Sequence, residues 1–240
     1  MFYPSATIRV MSDASQKISG MIMRDYYELQ LLQNSRKSLN GFCEHLIRRA
    51  VPKLQEELLK ARPGFGTNFD SDTQGDFWVF NVLEGEKNFL HALPYFAISI
   101  AHVNKKETAN EVISSLVVMP ALNEMFCAEL GKGAWFYRFD MHQDRPDKLQ
   151  LSGRRSKDEL LCAINQGAHS SEYECRNFGS NAIALGYLAA GRVDAVMVRD
   201  YRYMDVAASL LIAKQAGALV EVDDKYIKAS TEYFRSQYTL

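Results

Sequence analysis

The sequence predicts a mixed α/β fold of the α+β/α/β type, and three observations carry that expectation. Apolar residues recur at helical spacing through the N-terminal quarter of the chain. The middle holds short runs of β-branched and aromatic residues separated by glycine and polar clusters, the pattern of strands and turns. The C-terminal part alternates helix-like and strand-like segments, which suggests an α/β unit.

Ile8, Met11, Ala14, Ile18, Met21, Ile22 and Leu29 predict a first helix, followed by a polar stretch from Gln33 to Asn40. Ile47, Val51, Leu54 and Leu58 form the apolar stripe of a second helix, which stops before Pro63-Gly64. Phe77–Phe80 reads as a short buried strand running into a turn at Asn81. Tyr95–His102 and Glu111–Met119 read as neighbouring strands, with a turn at Asn104-Lys105-Lys106. Asn123–Leu130 and Ala134–Phe139 form a further pair around Gly131-Lys132-Gly133. Asp140–Pro146 reads as a loop, and Arg154–Leu160 as the start of a crossover. Ser180 caps a helix through Ile183, Tyr187 and Leu188 that Gly191 stops. Val193–Val198 is a strand. Asp205 caps a helix through Ala207, Leu211 and Ala216 that Gly217 stops, and Leu219–Val222 is a strand again.

A chain of 240 residues can bury a sizeable core. A soft boundary near residue 150 separates an N-terminal α+β half, 1–150, from a C-terminal α/β half, 151–240, the two forming one compact unit. The net charge of −1 gives no global field that argues for nucleic acid or an anionic membrane. Cys43, Cys127, Cys162 and Cys175 form no CxxC pair or zinc-like cluster, which reads as reduced thiols of a cytoplasmic protein. The N-terminus carries no signal-peptide pattern, and no apolar run approaches the ~20 residues needed to span a bilayer, so no membrane partner is expected.

The most informative stretch is Asn81-Val82-Leu83-Glu84-Gly85-Glu86-Lys87-Asn88-Phe89, followed by His91-Ala92-Leu93-Pro94. It resembles the metal-binding turn of the inositol monophosphatase family, including its bacterial extragenic-suppressor branch, where relatives read Asp-Pro-Leu/Ile-Asp-Gly-Thr-Thr-Asn-Phe. Leu83, Gly85, Asn88, Phe89 and Pro94 match. Three further blocks are similar to family signatures and fall in the same order: Pro120 to Ala134, Gly179-Ser180 to Asp194, and Asp205-x-Ala207-Ala208 with Gln215-Ala216-Gly217. The span between Ile164 and Arg176 is shorter than in relatives. The resemblance implies a layered αβαβα sandwich and a homodimer. It also implies Mg²⁺-dependent hydrolysis of a phosphate monoester, in which a metal-polarised water attacks phosphorus.

The residues that carry that chemistry depart from the family pattern. In relatives the metal ligands are the two turn aspartates, the aspartate of a "W-D" element and a glutamate of an upstream "G-E-E" motif. The metal candidates here are Asn81, Glu84, Asp205 and, for the last, Asp70. Asn81 keeps an oxygen but loses a negative charge. Glu84 keeps the charge but extends it by a methylene, roughly 1 Å, a displacement that can cost about 10²-fold in rate. Asp205 reads equally well as a helix cap. Glu86 stands where relatives place the threonine that orients water, so it is a candidate base or a solvated turn residue. Lys37 matches a site lysine of relatives or is an exposed member of the Arg36-Lys37 pair. Gly85, Gly179 and Ser180 are the candidate phosphate-binding positions, since a helix start offers free N–H groups to an anion. Ile47 sits where the second water-orienting carboxylate would stand, Val198 replaces a sugar-binding glutamate, and His91 reads as a packing residue.

Two functions follow. One is a family member that is catalytically impaired or inactive and keeps a binding or regulatory role, with a protein or RNA partner implied by analogy to the bacterial branch and no cofactor. The other is an active Mg²⁺-dependent sugar or inositol phosphate phosphatase with a rebuilt site.

Overall fold

A computed structural model of the chain describes residues 4–34, 41–68, 75–106, 110–139, 145–166 and 173–238. Two long helices lead. Helix α1 (Ala6–Leu32) starts at Ser5, whose side chain accepts the Ile8 N–H, and it buries Ile8, Met11, Ile18, Ile22 and Leu29. Helix α2 (Phe42–Ala61) buries Leu46, Ala50, Leu54 and Leu58. The predicted stripe is therefore rotated by one residue in its first half, and Ile47 and Val51 lie partly buried at its margin. Arg49 of α2 pairs with the buried Asp25 of α1, which holds the two helices together through a charge the surrounding apolar contacts would otherwise reject.

Among the described residues the strands form two sheets. The first holds β1 (Gly66–Thr67), β2 (Gly75–Glu84), β3 (Ala97–Lys105), β4 (Asn110–Met119), β5 (Glu124–Glu129), β6 (Gly133–Arg138) and β7 (Asp147–Lys148), in that spatial order. The second has the order β11-β12-β10-β8-β9, from β8 (Leu161–Ile164), β9 (Glu174–Arg176), β10 (Ala195–Arg199), β11 (Leu219–Val222) and β12 (Tyr226–Ser230). Helices α4 (Asn181–Ala189) and α5 (Tyr203–Gln215) lie between the sheets, and α6 (Glu232–Gln237) covers the outer face of the second.

The layering follows from strand alternation. On β2, Trp78, Phe80 and Val82 join the core under α1 and α2, whereas Phe77 and Val79 join the core shared with α4 and α5. Ile98 and Ile100 against Ala97 and Ala101 repeat the division on β3, as do Met125 and Cys127 against Phe126 and Ala128 on β5. The result is an αβαβα stack in which both faces of the first sheet are covered. The sequence divides between the sheets from Lys148 to Leu161, and helices from the later part pack on the first sheet.

Two local expectations change. Asn104 and Lys105, expected in a turn with Lys106, belong to strand β3, because Lys105 still pairs with Asn110 and Asn104 Nδ2 donates to Asp76 on the neighbouring strand. Strands β9 and β12 and helix α6 were not anticipated, since each is short and lies among polar residues.

The turn after β2 positions everything that follows. The register slips between Asn81 and Glu84, where three steps on β2 oppose two on β3, from Ser99 to Ala97. Gly85 then takes φ 91°, and a Cβ there would stand 2.7 Å from the Tyr95 carbonyl oxygen. Helix α3 (Glu86–Leu90) follows at once, and Asn88 Nδ2 donates to the carbonyls of Tyr95 and Phe178, each at 2.7 Å. Gly85→Ala is therefore expected to cost about 2 kcal/mol or more, a fall in Tm of about 4–8 °C. Gly64→Ala, where nothing lies within 4 Å of the new Cβ, is the control and should move Tm by no more than about 2 °C. Thermal unfolding followed by circular dichroism checks both.

Candidate functional site

Asn81 and Glu84 sit on the bulged end of β2, and Asp205 in the first turn of α5. All three are buried. Asp205 is not the cap of its helix: α5 begins at Tyr203, with Arg202 in the cap position making no side-chain cap bond. Two side chains hold the Asp205 carboxylate. Arg202 donates from Nε to Oδ2 at 2.8 Å and from Nη2 to Oδ1 at 2.9 Å, and Asn81 Nδ2 donates to Oδ1 at 2.8 Å.

The orientation of the Asn81 amide is fixed from both ends. Its Oδ1 accepts the Leu83 N–H at 3.0 Å, while its Nδ2 donates to Asp205. A flipped amide would set nitrogen against an N–H and oxygen against a carboxylate, repulsive at both contacts. The oxygen that could have served a cation is therefore turned into the turn's own backbone.

Glu84 reaches across to α4. Its Oε1 accepts the Asn181 N–H at 2.7 Å, its Oε2 accepts from Ser180 Oγ, and the Ala182 N–H also bonds it. Ser180 Oγ accepts the Ile183 N–H at 3.2 Å, so it does cap α4, and the Gly179 N–H donates to Asn177 Oδ1 at 2.8 Å. The groups that would cradle a phosphate are thus engaged with the chain itself. Gly179 has φ 67°, and a Cβ there would meet Asn88 Nδ2 at 2.6 Å, which gives its role as close packing.

Glu86 is exposed at the start of α3, where its charge suits the helix N-terminus, and it adds to the negative field around Arg202. Gly85 forms the turn described above. Lys37 and Asp70 lie outside the described residues. Val198 is buried in the inter-sheet core. His91, expected to pack, is exposed at the end of α3, because that helix is only five residues long and closes at His91.

Sequence reasoning missed Arg202. Arg202 is exposed, as a basic residue just before a helix is expected to be, and the one signal for its pairing was its spacing of three from Asp205. Bonding to Asp205 raises the Arg202 guanidinium above its ordinary value, against the effect of burial, and the charges of Asp205, Glu86 and Glu84 act the same way.

Burial pushes the Glu84 carboxyl up to about 8; the Asn181 N–H pulls it down, the Asp205 charge raises it, and the Ala182 N–H and the Arg202 charge lower it. Below pH 4.5 both folded and unfolded chains keep this proton. Between 4.5 and about 8 the unfolded chain has released it and the folded chain has not, so stability falls as pH rises, the reverse of an ion-paired carboxylate. Glu84→Gln removes this dependence. Its stability relative to the native chain should rise through that window by an amount on the order of 1–3 kcal/mol, read by urea unfolding at intervals of pH.

The donor set does not fit a divalent cation. Mg²⁺ requires several oxygens turned to one point, whereas Asn81 presents an N–H₂ to Asp205, both Asp205 oxygens are bonded to Arg202, and both Glu84 oxygens face α4. Among the described residues no group of three or more His, Cys, Asp or Glu side chains is placed to hold a metal ion.

Comparison with known proteins bears on this arrangement. Residues 11–225 match the sequence model described as the Inositol monophosphatase family. The chain is 32% identical to a Rhizobium meliloti protein named inositol-1-monophosphatase, over 89% of this chain and 84% of the relative. It is 29% identical to the Escherichia coli protein named Nus factor SuhB, over 86% of this chain and 81% of the relative. The crystal structure of extragenic suppressor protein suhB from Bartonella henselae is similar with a TM-score of 0.76 and 27% identity, covering 98% of this chain and 97% of that one.

Proposed function

The chain belongs to the inositol monophosphatase family, and from that premise we propose that it is a non-hydrolytic member that acts by binding, in a regulatory role. One observation carries the reading. The amide of Asn81 donates to Asp205, so two positions that would share a cation in a metal-dependent phosphatase bond directly to each other. A metal-polarised water needs that cation, and among the described residues no side chain in the site replaces the water-orienting pair. Ile47 is a partly buried apolar residue, and Glu86 stands exposed in the first turn of α3. The self-bonded N-terminus of α4 argues in the same direction, since a phosphate would have to displace Glu84.

The name Nus factor borne by one group of relatives supports a binding role for this chain, with a protein or RNA partner. A homodimer belongs to the same reading. No helix among the described residues is long and apolar enough to cross a membrane. The competing reading, a Mg²⁺-dependent phosphatase with a rebuilt site, requires Glu84, Glu86 and Asp205 to turn oxygens to one ion, whereas hydrogen bonds direct Glu84 to α4 and Asp205 to Arg202 and Asn81, and Glu86 stands exposed at the start of α3.

Calorimetric titration with Mg²⁺ and Mn²⁺ to about 10 mM should give no saturable heat. Inositol-1-phosphate and fructose-1,6-bisphosphate should not be hydrolysed. Turnover that depends on metal and is abolished by Glu84→Ala or Asp205→Ala would overturn the reading.

A further inference from the structure

We propose that the Arg202 guanidinium is the built-in replacement for a divalent cation at this site, with Asn81 as its matched partner, so that Asp205 is held in place without metal. The inference rests on the non-hydrolytic reading above and goes on to say what took the cation's place.

Three observations converge on it. The first is position. Arg202, an exposed side chain, bonds both oxygens of the buried Asp205, so the cation at this carboxylate is a side chain of the same chain. A guanidinium can hold a carboxylate by two parallel N–H bonds, a geometry a lysine could not copy.

The second is that Arg202 breaks a local rule. It occupies the cap position of α5, where free N–H groups already carry partial positive charge and a cation is disfavoured. Acceptor side chains that supply a cap are replaced here by one that cannot accept at all. Such a residue persists where something else compensates it, and the compensation is the buried carboxylate three residues on.

The third is Asn81. A carboxylate at this position would bring an anionic oxygen within 2.8 Å of Asp205 Oδ1, a pair that needs a shared cation or a proton. The amide removes the charge and adds a donor. With one acid fewer, a single positive charge suffices for Asp205, and Glu84 is served separately by the N–H groups of α4. Asn81 and Arg202 are therefore two halves of one change: each without the other leaves Asp205 wrongly paired.

The test uses the full chain, with thermal unfolding as readout and MnCl₂ and dilute guanidinium chloride as probes. The native chain's Tm should be indifferent to about 10 mM Mn²⁺, since nothing in the folded state binds it preferentially. Arg202→Ala should lower Tm by about 5 °C, and about 20 mM guanidinium, too dilute to denature, should restore half or more of the loss. The double variant Asn81→Asp with Arg202→Ala should gain a saturable Mn²⁺-dependent rise of about 3 °C or more. If it is unfolded without metal, folding on addition of Mn²⁺, seen by circular dichroism, counts as the same result. An Arg202→Ala midpoint equal to the native one, or a double variant that Mn²⁺ neither stabilises nor folds, overturns the replacement while leaving the non-hydrolytic reading standing. Saturable Mn²⁺ stabilisation of the native chain overturns both.

Discussion

The turn between β2 and α3 ties the first sheet to the helices packed against it through hydrogen bonds to backbone carbonyls, beyond the apolar core they share. Strand β2 belongs to the first sheet, and α4 opens from the segment that ends in Phe178 and Gly179. Asn88 links the two by donating to the carbonyls of Tyr95 and Phe178. That contact requires Gly179 to lack a Cβ and Gly85 to adopt a left-handed conformation against the Tyr95 carbonyl. Once it is made, the bulged end of β2 and the N-terminus of α4 are fixed at a distance that a glutamate at position 84 spans. Scaffold and site thus share one constraint: the residues that close the turn also decide which groups Glu84 can reach.

Within that frame the site is governed by charge. A buried carboxylate is tolerated only when paired or hydrogen-bonded. Asp205 is compensated by a guanidinium and an amide donor, and Glu84 by the start of a helix and a serine hydroxyl. Burial still outweighs those donors at Glu84 and keeps its proton affinity high. The two acids are compensated by different elements. Both acids stay buried where the first sheet meets the helices packed on it.

Much of the fold was legible in the sequence because it is written as periodicity. The apolar spacing of α1 reports directly which face the helix buries, whereas the run Phe77–Phe80, apolar throughout, marks a buried strand without telling its two faces apart. Errors arose where local chemistry and tertiary pairing disagree. Asn104 and Lys105 look like turn residues, yet pairing with β4 and the bond to Asp76 keep them in a strand. In the site, the loss of charge at position 81 was visible, but where the extra methylene of Glu84 leads was not. Its partner, Asn181, lies 97 residues away in the chain, and only the assembled layers bring that helix within reach. Arg202 was hidden for a related reason. An arginine outside a helix carries no distinguishing pattern until its guanidinium is seen against Asp205.

The two classes of residue in the turn are constrained differently, and this explains how the family scaffold is compatible with altered chemistry. Gly85, Asn88 and Gly179 act through steric exclusion and backbone bonds, so almost any substitution at one of them displaces main chain. Positions 81, 84, 202 and 205 are constrained mainly through the sum of their charges and donors. An amide in place of a carboxylate removes a charge and adds a donor, and an arginine supplies positive charge where its fork meets both oxygens of one acid. Such exchanges leave the backbone where it was. The fold then reports ancestry through its steric positions, and the activity has to be read from the compensated group as a whole, because no one of its members determines whether a metal is needed.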